Sequence, residues 1–417
     1  MPSFAHLSDI HIGAFRQPAL QDLVLKAFTD AMDLCLQRKV DFIVISGDLF
    51  DSNIPDMGLL NSAVRKMGEV RGAGIRFYVI YGSHDFSPTQ TSIVDILESA
   101  GLFTKVTKGR IEDGELRLDF TTDKATKAKL CGISGRRRGI DSEYFEILDR
   151  KRLEREDGFK IFLLHGALSE YKSEDLAEAE SMPISNLPKG FAYYAAGHIH
   201  EKFQAKEHGL LINYPGTLFG ADFTDIEKSA NGLERGFFIV NFSAKVESVE
   251  FVPVPVCGFA LKEYNAAGKT ALRVQKDLTE AVEGIDAEGK VVLLKVAGEM
   301  SAGKTSDIDF QQLKKTLKER GAIEVLPNYH RLTSKEYSAI KVAGQDVREI
   351  EDTLFKENIG TIKVSNQKLK GASGIKLSRD VFDVLKQPKI ENETKTTYDG
   401  RIATETIEAL DIDEEFA

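Results

Sequence analysis

The sequence has no tryptophan, and its three cysteines (Cys35, Cys131 and Cys257) stand far apart. They show no metal-type spacing, and so odd and sparse a count argues against a disulfide framework and suits a reducing cytoplasm. No run of 18 apolar residues occurs, so a membrane-spanning helix is not expected. The N-terminus, Met-Pro-Ser-Phe-Ala-His, has no basic segment followed by an apolar one and does not read as a secretory signal. An excess of basic charge is missing too. The chain holds 55 Lys and Arg against 65 Asp and Glu, a formal net charge of −10. A protein that gripped nucleic acid by phosphate neutralisation alone would be basic. Either its contact with a polyanion is local and partly metal-mediated, or nucleic acid is the wrong substrate. There is no internal repeat.

What is present is a soluble-type composition, 42% hydrophobic and 29% charged over 417 residues, enough for two or three domains. The first part alternates short apolar strands with amphipathic helices. Strands are expected at Phe4–Leu7, Phe42–Ile45, Phe77–Ile80, Lys160–Leu164, Ala192–Ala195 and Gly236–Val240. Helices are expected at Pro18–Lys39, Met57–Glu69 and Ser92–Ser99. In the first helix, Leu20, Leu23, Val24, Ala27, Phe28, Ala31, Leu34 and Cys35 follow a 3.6-residue period, and Pro18 sits where a missing N–H costs least. This alternation predicts α/β packing. Near Val252-Pro-Val-Pro-Val the pattern changes, and two prolines in an extended stretch read as a connector. A smaller α/β stretch follows, with a helix near Ala271–Val282, a strand at Lys290–Val296 and a helix at Asp309–Arg320. From about Gly344 there are short helices at Val347–Phe355 and Ser378–Leu385, then a loosely ordered tail. The expected division is residues 1–252, 253–343 and 344–417.

Five short polar motifs each directly follow an apolar strand: Asp9-Ile-His11, Gly47-Asp48, Gly82-Ser-His-Asp85, His165-Gly166 and Gly197-His-Ile-His200. They hold five of the eight histidines: His11, His84, His165, His198 and His200. Functional groups of α/β sheets gather at strand ends, so these side chains are placed to converge. Imidazole with carboxylate favours manganese, iron or zinc. Asp48 has two oxygens and is suited to bridging two ions. Taken singly, each motif has a bland reading: a lone histidine is usually a surface or satisfied core residue, and a lone Gly-Asp a turn. Five in one chain, each after a strand, favour a metal site. His6 reads as core, and His208 and His330 have no motif around them.

The order Asp-x-His, Gly-Asp, Gly-x-His-Asp, His, Gly-His-x-His resembles the calcineurin-like metallophosphoesterase superfamily. Within it, the phrases at 6–13, 46–51 and 195–200 resemble archaeal-type double-strand-break repair nucleases (SbcD-like), as does Asn213-Tyr-Pro-Gly-Thr217. The superfamily motifs cover about residues 1–240. The resemblance implies a four-layer α/β/β/α sandwich, a small α/β capping domain and a C-terminal helical segment that docks on an SMC-like coiled-coil ATPase. It implies two Mn2+ ions per subunit. Asp9, His11 and His200 would hold one, His165 and His198 the other, with Asp48 bridging and His84 protonating the leaving oxygen. The activity implied is DNA exonuclease and endonuclease cleavage by a two-metal-activated water, in a cytoplasmic, nucleoid-associated homodimer.

The sequence departs from that pattern twice. Ser83 stands where the family has an Asn ligand, and Asp51 where many nuclease members have a His. Arg136, Arg137 and Arg138 could grip phosphates or form a solvated turn. Val347, Ile350 and Leu354 recur at helical spacing, for a partner contact or for packing within the domain. Leu59, Leu60, Val64 and Met67 fit a dimer face or burial within the monomer. Two other functions share these features: a metallophosphoesterase acting on a small nucleotide or cyclic phosphodiester, and a non-catalytic scaffold that only tethers DNA.

Overall fold

In the computed structural model, the residues described are 1–85, 92–135, 140–171, 181–335, 351, 354–356, 371–390 and 393–410. The chain divides into two compact units, Met1–Leu332 and Thr333–Ala417. This division falls between the two boundaries read from the sequence, at 252 and 343.

The first unit is built on two six-stranded sheets. In one the order is Val246–Pro253, Gly236–Phe242, Ser3–Leu7, Phe42–Ser46, Arg76–Ile80 and Thr104–Lys105. In the other it is Phe203–Glu207, Leu210–Tyr214, Tyr193–Gly197, Lys160–His165, Lys129–Ile133 and Thr121–Thr122. Side chains alternate between strand faces, and the sequence uses both. Phe4, Phe42, Val44 and Tyr78 of the first sheet meet Leu130, Ile161, Leu163 and Tyr193 of the second in a buried layer. On the outer face of the first sheet, Ala5, Leu7, Ile43 and Ile45 pack with Leu20, Val24, Phe28 and Met67, which belong to the helices Pro18–Arg38 and Met57–Gly72. On the outer face of the second, Cys131, Phe162, Leu164 and Tyr194 pack with Phe145 and Leu153, from the helices Ile140–Glu146 and Arg150–Arg155. The result is the α/β/β/α sandwich that the sequence led us to expect.

The connector read near residue 252 is short: residues 254–257, Pro255 among them, carry no strand and link the first sheet to the next. The strand Val246–Pro253 runs through Pro253, which an edge position tolerates because its missing N–H faces no neighbour. Beyond it, parallel strands at Gly258–Asn265, Lys290–Met300 and Glu324–Asn328 form a small sheet. One face carries Val292, Leu294 and Val296 and is covered by Val274, Leu278, Leu313 and Leu317 of the helices Ala271–Glu283 and Phe310–Glu319. The other face places Val291, Leu293 and Leu326 in the same buried cluster as Leu218, Phe219, Val252 and Val254 of the sandwich.

In the second unit the helices Gly371–Leu385 and Lys395–Leu410 pack together; the latter was not read from the sequence. Arg401 Nε donates to Glu393 Oε1 at 2.9 Å, and Tyr398 Oη to the Gln387 carbonyl at 3.0 Å. Leu354 is 37% exposed, whereas Val347 and Ile350 lie outside the described residues. In the first unit Met67 is buried, and Leu59, Leu60 and Val64 pack against the sandwich's own core. Ile54 and Met57 are left exposed beside them. No helix among the described residues is long and apolar enough to cross a membrane.

Candidate metal centre

The strands Ser3–Leu7 and Phe42–Ser46 run parallel, so Asp9 and Asp48 leave the first sheet at the same edge. The strands Lys160–His165 and Tyr193–Gly197 are parallel neighbours in the second, with Gly197 opposite His165. The two sets of strand ends meet. A Cβ on Gly197 would lie 2.1 Å from the Ser46 carbonyl, so only glycine allows the sheets to close here. Cross-links bind the loops: Asp9 N to Gly47 O at 3.1 Å, His11 N to Asp48 O at 3.0 Å, and His198 N to both Asp9 carboxylate oxygens at 2.9 and 3.0 Å. Asp9, His11, Asp48 and His198 all have positive φ (50°, 51°, 50° and 93°). Such backbone is costly for a side-chain-bearing residue and is typical of functional loops held by their surroundings.

Three groups of donors form. Asp9, His11 and His200 lie within 4.8 Å of one another, as do Asp9, Asp48 and His165, and His11, Asp48 and His84. His198 falls in none of these groups, but its ring centroid is 5.3 Å from that of His165. Ser83 Oγ is 3.5 Å from Asp48 Oδ2. Asp51 is turned onto His11, with Oδ1 3.2 Å from His11 Nδ1, so the extra carboxylate steadies an imidazole. The arginine run 136–138 lies outside the described residues. His6 is core: it is buried between the sheets, with Tyr193 Oη and Ser46 Oγ each 3.0 Å from a ring nitrogen, and burial lowers its pKa to about 3. His330 is exposed, and His208 sits in a hairpin turn at φ 52°.

Charge in the cluster is tightly coupled. Burial alone would lower the His165 pKa, but the Asp48 carboxylate, with Nε2 and Oδ2 3.2 Å apart, outweighs it and lifts the value to about 10. Burial alone would raise that of Asp48, and the surrounding imidazoles, His165 foremost, hold it far below the usual carboxylate range. Burial, then the charge of His165, lowers the His198 pKa to about 4. Asp85 is raised to about 6 by burial and by Asp48, although it accepts from the N–H groups of Gly82, Leu49 and Phe50 at 3.0, 3.3 and 3.2 Å.

The buried Nε2 atoms of His11 and His165 have no hydrogen-bond partner, and the His165–Asp48 contact is close without being aligned as one. Orphaned buried polar nitrogens are rare. These two face carboxylates, while their Nδ1 atoms are engaged by Asp51 and by the Ser46 carbonyl (2.8 Å). Imidazoles fixed through Nδ1 and open at Nε2, with carboxylates between them, fit divalent metal.

Sequence reasoning missed two supporting residues. Asp85 lies in a motif that was singled out, and it ties the Gly82–His84 loop to residues 49 and 50. Asp225 accepts from His200 Nδ1 at 2.7 Å, yet it had no local signal, since it lies 25 residues away on another element.

The model of the calcineurin-like phosphoesterases matches residues 2–202. This domain belongs to that family, a class of metal-dependent phosphoester hydrolases. The chain is also similar to the DNA double-strand break repair protein Mre11 of several archaea. With that of Archaeoglobus fulgidus it shares 26% identity over 336 residues, 75% of this chain and 72% of that one. With that of Sulfurisphaera tokodaii it shares 30% over 266 residues, 60% and 62% of the two chains. With that of Methanocaldococcus jannaschii it shares 27% over 294 residues, 68% and 73%. Among solved structures, a dimetal phosphatase from Danio rerio aligns at 9% identity and TM-score 0.37, over 61% of this chain and 99% of that one.

Proposed function

We propose that the protein is a manganese-dependent DNA nuclease, with exonuclease and endonuclease activity, acting in double-strand-break repair. The observation that carries this reading is the convergence of Asp9, His11, Asp48, His165 and His200 beside an accessible His84, in a chain whose relatives are named for that repair. Asp9, His11 and His200 would hold one ion. His165 and His198 would hold the other, with Asp48 bridging and Ser83 at its edge. A divalent pair there would place positive charge against phosphate oxygens and activate water as the nucleophile.

The chain's own groups do the rest. His84 is fixed by its backbone, whose N–H donates to Asp48 Oδ1 at 2.8 Å, and by Nδ1, which donates to the Asp51 carbonyl at 2.7 Å. Its side chain is 41% exposed, so in its imidazolium form, with Nδ1–H kept on the Asp51 carbonyl, it can present Nε2–H to the departing sugar oxygen and give up that proton, leaving the neutral ring. Asp51 keeps the His11 ring in place, which turns its negative charge away from substrate. The protein would act as a homodimer, with the exposed Ile54 and Met57 at the pairing helix and the second unit docking on an SMC-like ATPase at the nucleoid. The arginines at 136–138 would meet the DNA backbone.

The test is cleavage of labelled DNA and of small phosphodiesters with manganese, by the unaltered chain and by His84→Gln. DNA is expected to be cut in preference. His84→Gln is expected to lose about 10²–10⁴-fold in rate while binding manganese as before. Preference for the small esters would defeat the nuclease reading, and an unchanged rate would defeat the role of His84.

A further inference from the structure

The candidate ligands differ in how tightly packing confines them. The side chains of His11 and His165 are 2% and 1% exposed, whereas that of His200 is 29% exposed. Its ring therefore takes its orientation mainly from hydrogen bonds. We infer that Asp225, itself gripped by Arg235, is a positioning residue that fixes the His200 ring and strengthens it as a donor. It thereby sets the affinity of the ion that Asp9, His11 and His200 would share. This rests on the metal-centre reading, but not on DNA as the substrate.

The contacts are specific. Asp225 Oδ2 accepts from His200 Nδ1 at 2.7 Å and from Ala221 N at 2.8 Å, which puts the imidazole proton on Nδ1 and leaves the Nε2 lone pair free. Asp225 is in the first turn of the helix Phe223–Ala230, where the Asp222 carboxylate caps its N–H at 2.9 Å. Arg235 holds both ends of the unit. Its Nη2 donates to the Asp225 carbonyl at 2.7 Å and lies 3.3 Å from Oδ1, while Nη1 donates to the His200 carbonyl at 2.5 Å. The remaining donors go to Thr217 Oγ1 at 2.8 Å and Ser229 Oγ at 2.9 Å. The Asp225 and Arg235 side chains are each only 6% exposed, so this charge pair acts where water screens it little. His165 Nδ1 is hydrogen-bonded to a neutral backbone carbonyl, with the Asp9 carboxylate further off at 3.9 Å, and Asp51 behind His11 is 35% exposed. An ionised acceptor on the far nitrogen makes an imidazole a better ligand, and its loss usually costs about 10–100-fold in metal affinity.

Manganese titration of the full chain by calorimetry tests this without DNA. The unaltered chain is expected to take up two ions. Asp225→Asn is expected to weaken one by about 10–100-fold and leave the other unchanged. Because that variant leaves Arg235 buried without its counter-charge, the double variant Asp225→Asn with Arg235→Gln removes both charges. It is expected to unfold in one cooperative transition, at a lower temperature because the buried acceptors that Arg235 served lose donors, and still to show one weakened ion. Asp225→Glu, which keeps the charge, is expected to recover part of the loss. If the double variant binds both ions as tightly as the unaltered chain, or if both weaken together, the inference is overturned. An unaltered chain that takes up no manganese would overturn it along with the metal-centre reading. Two ions bound without DNA cleavage would count only against the nuclease assignment.

Discussion

At the scale of single residues, the proposed centre would exchange protons for metal. Without metal, His165 carries a proton, because the attraction of Asp48 outweighs the cost of burial and puts its pKa at about 10, above the unfolded value near 6.5. A group raised in this way contributes stability that is complete below the unfolded value and is lost as pH rises through about 10. The metal-free chain should therefore lose stability between about pH 6.5 and 10. A metal held by His165 would require the neutral ring, so its binding would expel that proton. Manganese affinity should rise with pH by up to about tenfold per unit until near pH 10 and then level off. Calorimetry in two buffers of different ionisation heat would count the proton released. An affinity that does not change between pH 7 and 9 would show that His165 is not protonated in the metal-free state.

At the scale of elements, the work is done by strand ends that turn through strained backbone. Gly47 has φ of +90°, and a Cβ there would lie 2.4 Å from His165 Nδ1 and 2.8 Å from Gly82 Cα. Gly47→Ala should cost about 1–3 kcal/mol from backbone strain alone. It should also push the Gly82–His84 loop away from Asp48, so manganese binding falls with stability. Thermal melting together with a manganese titration reads both. Wild-type values in each would mean that the turn does not hold the loop. The sequence exposed this element-level plan well, because strand periodicity and the motif after each strand are local signals. It gave less at edges. The strand Gly258–Asn265 is only half-buried along its length and has no clean alternation, and Pro253 reads as a break although an edge strand tolerates it.

At the scale of the molecule, the stretch after residue 253 is not hung on a free linker. Its sheet sends Val291, Leu293 and Leu326 into the core that Leu218, Phe219, Val252 and Val254 share with the sandwich, and Phe259 lies tilted by 32° to Phe219 with 5.9 Å between ring centroids. Lys295 pairs with Glu227, two residues along the helix that carries Asp225. Leu293 is fully buried, and Leu293→Ala should cost about 2–5 kcal/mol. If the core is shared, hydrogen-exchange protection should fall in the strand Gly236–Phe242 as well as in Lys290–Met300. Loss confined to the second strand would show that the two parts open independently.

Residue order alone determined the alternation of strands and helices, the faces those strands bury, and the metal-type donors that follow them. Those properties depend on near neighbours, and periods of 2 and 3.6 residues report them. Only the tertiary structure decided that donors from strands up to 189 residues apart meet, as Asp9 does with His198. It also decided that Asp51 turns to His11 and that Asp225 and Arg235 stand behind His200. Such contacts are made by packing two sheets and their loops together, and the distance along the chain between their partners leaves no local pattern to read.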